Sequence, residues 1–356
     1  MDRREINLIS PINQLGYGVA GLNILKSLSN LADVSLWTIG NPDAPPEDHP
    51  VLRQRLQNAL SPSFTAPCIR IWHQHDMGQF VGRGEKIGFP IFELDTFTDV
   101  EHHHLSSLDR IFVCSEWAKD VCLNNNLKNK IDVIPLGVDQ NIFKPKESSE
   151  EATIFFNCGK WEVRKGHDVL VSAFNKAFSE EDDVELWMMC SNPFYSPEEN
   201  KEWENLYKNS KLGQRIKIIP RQESQQEVYN VMGQAHCGIF PSRAEGWNLE
   251  LLEMMACGKT VIATNYSAHT EFCTPKNCLL VDLENSETAY DGKWFKGQGS
   301  WGKIDQKSVD VFADHMSSVH HLRKTGKLSP NEEGVETARN FSWNNTAKEI
   351  INVIST

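Results

Sequence analysis

The chain of 356 residues reads as an α/β protein built from two doubly wound sheets facing one another. Two observations predict this. Short apolar, β-prone runs alternate with amphipathic helical stretches through both halves. The alternation halts at the polar segment Glu147-Ser-Ser-Glu-Glu151 and then restarts. The chain is also long enough for two cores. The expected boundary gives domains of 1–148 and 149–340.

In the first half, Ile6–Ser10 is a plausible strand, and Gly16-Tyr-Gly-Val-Ala-Gly21 opens a helix over Val19–Leu31. Val34–Trp37 is the next strand. The glycines spell a literal dinucleotide fingerprint, but that motif places them directly after the strand and an acid at the end of the second strand. Here Pro11–Leu15 intervenes and Trp37-Thr-Ile-Gly40 carries no acid. Gly40–Pro67, with six prolines, reads as loop around a helix at Val51–Leu60. Ile69–Trp72 is a strand followed by His73-Gln-His-Asp-Met-Gly78, and a residue at such a strand end points into the ligand crevice of an open sheet. Lys86–Phe92 reads as a strand running into Glu93 and Asp95. His102, His103 and His104 lack metal-motif spacing and read as surface or helix-end residues. Arg110–Lys119 is strand then Ser-capped helix, and Ile131–Asp139 leads to the boundary.

The second half restarts with a strand at Ala152–Cys158. A turn rich in cations follows, Gly159-Lys-Trp-Glu-Val-Arg-Lys-Gly166. Lys160, Arg164 and Lys165 could neutralise a diphosphate, although solvated loop cations are the plainer reading. Val184–Cys190 and Arg215–Ile219 are further strands, the latter followed by Pro220-Arg221. The organising stretch is Pro241-Ser-Arg-Ala-Glu-Gly-Trp-Asn-Leu-Glu-Leu-Leu-Glu-Met-Met-Ala-Cys-Gly258, read as loop then helix with Gly258 as C-cap. The N–H groups of Gly246, Trp247, Asn248 and Leu249 are expected to be orphan donors at the positive end of the helix, suited to a diphosphate. Two carboxylates flank them, Glu245 and Glu253, suited to the hydroxyls of a sugar and a ribose. Ordinary helix capping is the competing reading. Asn285–Lys303 is a Gly- and Trp-rich insertion, either a lid or acceptor contact or a packed surface loop.

Composition narrows the classes. Hydrophobic residues make up 40% and charged residues 24%, as in soluble globular proteins. A net charge of −12 argues against general nucleic-acid binding. No apolar run approaches the ~20 residues of a membrane span, and the N-terminus lacks a signal-peptide core. Nine scattered cysteines without a Cys-x-x-Cys pair suggest buried, reduced thiols in a cytoplasmic protein.

The Glu245-x7-Glu253 spacing, its Pro-Ser and Met-Ala-Cys-Gly surroundings, and Lys259–Thr264 after it resemble the E-x7-E signature of retaining GT-B glycosyltransferases, family 4 by sequence classification. Gly159-Lys-x4-Lys165-Gly matches that family's cationic turn, with lysine where arginine is commoner. The resemblance implies the GT-B fold, two Rossmann-like domains across a cleft, with a C-terminal helix in 341–356 packing back on the first. It implies transfer of a sugar from a nucleoside diphosphate sugar, UDP- or GDP-linked, to a glycan, lipid-linked or protein acceptor, with no metal and no further cofactor. Glu245 would hold the sugar, Glu253 the ribose, and Lys160, Lys165 and the N–H groups of 246–249 the diphosphate. His75 would brace the transferred sugar, Gly16 and Gly18 would approach the donor, Arg221 would lie by the base, and Glu93 and Asp95 are acceptor-side candidates. Peripheral membrane contact stays open. The alternatives are a nucleotide-sugar-binding protein or epimerase of the same fold without transfer activity, and an NAD-dependent oxidoreductase.

Overall fold

In a computed structural model, residues 4–354 are described, and they divide into two compact units. Unit 1 comprises 1–139 and 340–356, and unit 2 comprises 140–339.

Unit 1 holds a six-stranded parallel sheet of β1 (Glu5–Ser10), β2 (Asp33–Thr38), β3 (Cys68–Arg70), β4 (Lys86–Gly88), β5 (Arg110–Val113) and β6 (Lys130–Val133). The order is β2-β1-β3-β4-β5-β6, so the winding reverses between β1 and β3. Helices α1 (Gly16–Leu31), α2 (His49–Asn58), α3 (Asp99–Ser106) and α4 (Glu116–Asn124) connect the strands. The expected strand at Lys86–Phe92 stops at Gly88, and Phe89–Asp95 is irregular chain at the carboxyl end of the sheet. Helix α1 begins at Gly16 rather than Val19, so the glycines form its first turn. The C-terminal helix Trp343–Val353, capped by the Ser342 side chain, packs against α1 within this unit. The triple histidine run lies in α3, whose N-terminus carries a Thr98–Glu101 capping box.

Unit 2 is a second parallel sheet of β7 (Thr153–Gly159), β8 (Val184–Cys190), β9 (Ile216–Ile218), β10 (Cys237–Phe240), β11 (Thr260–Thr264) and β12 (Leu279–Val281). Its order is β12-β11-β10-β7-β8-β9, with the reversal between β7 and β10. Its first helices are α5 (His167–Ala177), α6 (Pro197–Lys208), α7 (Gln225–Met232) and α8 (Leu249–Ala256). The expected insertion is an antiparallel hairpin of β13 (Ser286–Tyr290) and β14 (Lys296–Gly302). Helices α9 (Gln306–Lys324) and α10 (Glu332–Asn340) follow. Strands β7 and β10 are apolar on both faces because helices cover both sides of the sheet.

The division between units falls at Asp139/Gln140 rather than at 148. Hydrogen bonds explain the shift: Lys146 N–H reaches Cys257 O, Lys259 Nζ donates to Lys146 O, and Ser148 Oγ donates to Gln234 O. The expected linker is therefore fastened to unit 2. All nine cysteines are buried and unbridged. Among the described residues, no helix is long and apolar enough to cross a membrane.

Candidate functional site

In open α/β sheets, ligands bind outside the carboxyl ends of strands where the winding reverses. In unit 2 that place lies between the exits of β7 and β10. These exits are the cationic turn 159–166 and the segment 241–248. Gly166 joins them. Its φ of +72° is left-handed, and a Cβ there would sit 1.9 Å from Pro241 O, so only glycine lets the two turns touch. Arg243 N–H then donates to Arg164 O at 2.7 Å.

The charges form one buried chain. Glu245 Oε1 accepts from Lys165 Nζ at 2.9 Å and from Ser242 Oγ at 2.8 Å, while Oε2 accepts from Arg164 Nη1 at 2.6 Å. Arg164 turns its other edge to Glu162 Oε2, at 3.1 and 2.7 Å. Glu162 Oε1 holds Lys160 Nζ at 2.8 Å. Glu245 is 4% exposed. Burial alone would raise its carboxyl, but Arg164 and Lys165 outweigh burial and hold it far below the usual carboxylate range. Lys165 is likewise raised, because Glu245 and Glu250 overcome desolvation.

Hydrogen-bonding capacity separates the cations. Arg164 has four of its five N–H groups on Glu162, Glu245 and Ala244 O. It is a bridge between the two turns. Lys165 spends one donor on Glu245, and Lys160, with 38% side-chain exposure, spends one on Glu162. Both keep donors for a ligand. Glu245 has three of its roughly four acceptor positions filled, which leaves room for about one hydroxyl.

Helix α8 starts at Leu249, the last residue of the donor set expected at 246–249. Asn248 is the N-cap, with a left-handed φ of +85°, and its Oδ1 already accepts from Leu251 N–H. Gly246 and Trp247 precede the helix, and the free first-turn donors begin at Leu249. Asn248 holds its conformation through Nδ2, which donates to His269 Nε2 at 2.9 Å. His269 Nδ1 donates to Thr264 O at 2.9 Å and Nε2 accepts, the pattern of a neutral ring, and burial lowers its pKa in the same sense. Gly258 ends the helix with φ +72°, as a C-cap does.

Glu253 stands apart from this network. It is 7% exposed and makes no side-chain hydrogen bond among the described residues. Burial first, and Glu250 second, raise its carboxyl well above the ordinary value. Its carboxyl oxygens are free to accept from a diol. Arg221 is exposed after β9.

Unit 1 presents a different group at its own reversal, between the exits of β1 and β3. Tyr17, in the first turn of α1, exchanges hydrogen bonds with Ile91 N–H and O, each at 2.8 Å. Its ring lies 4.7 Å from that of His73, and His75 stacks on His73 at 5.3 Å and 16°. His75 is exposed, and Glu93 and Asp95 are partly buried in the segment after β4. Gly16 is open to solvent, whereas a Cβ on Gly18 would meet Asn13 Oδ1 at 2.3 Å. Gly18 therefore serves close packing of helix on loop.

Sequence reasoning missed Glu162, Glu250, Arg243, His269, Tyr17 and His73. Glu162 carried a signal, as an acid within a cationic turn. His269 and Arg243 carried none, because their partners are remote in sequence.

Residues 152–292 match the family model described as Glycosyl transferases group 1. An uncharacterized glycosyltransferase of Methanocaldococcus jannaschii is 27% identical over 236 residues, covering 66% of this chain and 56% of its own length. A probable sucrose-phosphate synthase of Thermosipho melanesiensis is 24% identical over 235 residues, covering 64% and 48%. The chain thus spans about half the length of these curated relatives. Among solved structures, a sucrose-phosphate synthase from Thermosynechococcus elongatus superposes with TM-score 0.72 at 16% identity, over 99% of this chain and 98% of that one. Anabaena HepE in complex with UDP-glucose gives 0.70 at 13% identity, over 99% of each chain. At such identities the structures speak for the fold. Over residues 152–292 the chain is similar to the glycosyl transferases group 1, and its fold is GT-B.

Proposed function

We propose that the chain is a retaining glycosyltransferase that needs no metal. It moves a sugar from a UDP- or GDP-linked donor to a hydroxyl of a glycan, lipid-linked or protein acceptor, in the cytoplasm. The observation that carries this reading is the buried Glu245 carboxylate, held between Lys165 and Arg164 at a topological switch point with acceptor capacity to spare. Relatives and fold neighbours support it, among them a mycobacterial α-(1→4)-mannosyltransferase and the UDP-glucose complex of HepE.

Each group has a task in this reading. Lys165, Lys160 and the first N–H groups of α8 stabilise charge on the departing diphosphate, where it grows as the glycosidic bond breaks. Glu245 is too strongly held as an anion to serve as a base. It fixes a sugar hydroxyl and with it the anomeric carbon. Glu253 takes the ribose diol, and Arg221 lies by the base. A phosphate oxygen of the donor takes the acceptor proton on the face from which the diphosphate leaves. From unit 1, His75 is the catalytic candidate, Gly16 is the donor-side candidate with Gly18 packing the turn behind it, and Glu93 and Asp95 are acceptor-side candidates.

Lys165→Ala tests the central contact. A charge-assisted hydrogen bond to phosphate is worth ~1.5–3 kcal/mol, so UDP or GDP should bind roughly tenfold to a hundredfold more weakly. Unchanged diphosphate affinity by calorimetry would remove the cationic turn from the phosphate site. Turnover lost in EDTA and restored by Mn²⁺ would overturn the metal-independent mechanism.

A further inference from the structure

The hairpin β13–β14 takes no part in the reading above, yet the fold anchors it at both ends. At its base, Glu287 Oε1 accepts from Arg243 Nε and Trp301 Nε1, each at 3.2 Å, and Gly302 N–H donates to Arg243 O at 2.9 Å. At its tip, Asp291 Oδ1 accepts from the N–H groups of Lys293, Trp294 and Phe295 at 2.8–2.9 Å. Lys293 Nζ pairs with Glu199 and lies 4.1 Å from the centre of the Tyr195 ring. The tip is therefore fixed beside the segment that leaves β8, which neighbours β7.

That fixation serves two side chains that bury little. Phe194 is 54% exposed and Trp294 45% exposed, and their rings meet edge to face at 6.1 Å. The hairpin already has an internal aromatic contact in Phe295 and Trp301, so Trp294 is not needed for its packing. Lys160 Nζ, in the candidate diphosphate turn, lies 5.6 Å from the centre of Phe194. Of the four aromatic side chains exposed among the described residues, Phe64, Phe194, Tyr290 and Trp294, two form this pair and a third lies on the same hairpin.

We propose that Phe194 and Trp294 form a stacking platform for a neutral pyranose ring of the acceptor. This rests on the glycosyltransferase reading. Two rings at 76° form a corner, which suits a puckered ring with an apolar C–H face better than a flat base. Lys293, the cation that lies against Trp294, is already paired with Glu199. The donor-side groups Glu245, Glu253 and Lys165 are each under 10% exposed. The outward-facing pair suits a ligand that continues into solvent, as a glycan does.

The test uses the full chain, Trp294→Ala, Phe194→Ala and the conservative Trp294→Phe. Neutral gluco-, galacto- and mannodisaccharides are titrated by saturation-transfer NMR, and UDP and GDP by calorimetry. The expected result is that at least one disaccharide binds the unaltered chain and loses fivefold or more affinity in both alanine variants. Trp294→Phe should keep it within twofold, and all four proteins should bind nucleotide alike. Equal saccharide affinity in all four proteins, loss of nucleotide rather than saccharide affinity, or no saccharide contact by the unaltered chain would each overturn the platform. If neither UDP nor GDP binds, the glycosyltransferase reading falls, while the saccharide titrations still decide the platform.

Discussion

The two units carry the same kind of switch point and fill it with opposite chemistry. In unit 1 the first turn of α1 is uncharged and approaches its neighbours through missing side chains: a Cβ on Gly18 or Gly21 would lie within 2.5 Å of Asn13 or of Ser10 and Pro11. The groups around it are rings, Tyr17, His73 and His75, partly open to water, with the Arg70–Asp76 ion pair at the exit of β3. In unit 2 the corresponding turn carries three cations, and two acids tie it together below the surface. A strand reversal creates a crevice but does not choose its contents. Buried charge does so in unit 2, at a desolvation cost that only mutual pairing offsets.

The largest effect should come from breaking the charged side of this comparison. Glu245→Gln removes the anion shared by Arg164 and Lys165. Removing one partner of a buried pair costs about 3–5 kcal/mol, so the midpoint of urea unfolding should fall clearly. In the variant that remains folded, turnover should drop about a hundredfold through misplacement of the sugar, with free diphosphate affinity largely kept. Equal stability of variant and parent would mean that the pairs contribute little.

The uncharged side predicts a smaller, purely steric effect. Gly18→Ala forces Asn13 or α1 to move, at about 1–3 kcal/mol. Gly16→Ala, with nothing within 4 Å, should change stability by less than about 0.5 kcal/mol. Calorimetric melts of both variants check the contrast, and equal losses would show that the glycines do not differ in role. If Gly16→Ala also weakens donor binding at unchanged stability, backbone approach to a ligand is its function.

The smallest effect sharpens the contrast inside unit 2. Glu253 has a raised carboxyl, so the unfolded chain ionises first as pH rises. Its contribution therefore destabilises the fold progressively above about pH 4.3, the ordinary glutamate value, up to its raised folded value. Glu253→Gln should gain stability over the parent as pH climbs through that window. Glu245 has the opposite sign: its contribution is full above the ordinary value and is lost as pH falls towards its depressed one. A pH-independent difference between Glu253→Gln and parent would show that Glu253 is ionised in the folded state.

The sequence by itself determined the two parallel sheets, because strand–helix alternation depends on local apolar runs and caps such as Ser115. The cationic turn and Glu245 were legible because each lies within a few residues of a strand exit, and Glu253 because it falls in the helix that follows. Only the tertiary structure decided how these charges are used. Arg164 looked equivalent to its neighbours in the turn, yet the 80–81 residues separating it from Ala244 and Glu245 close in the fold and commit its donors. Glu245 and Glu253 look alike in one motif, but one meets two cations and the other is buried beside a second acid. Ionisation depends on what surrounds a group in three dimensions, and those neighbours come from β7, β10 and the segment after β11, which meet only when the sheet is wound.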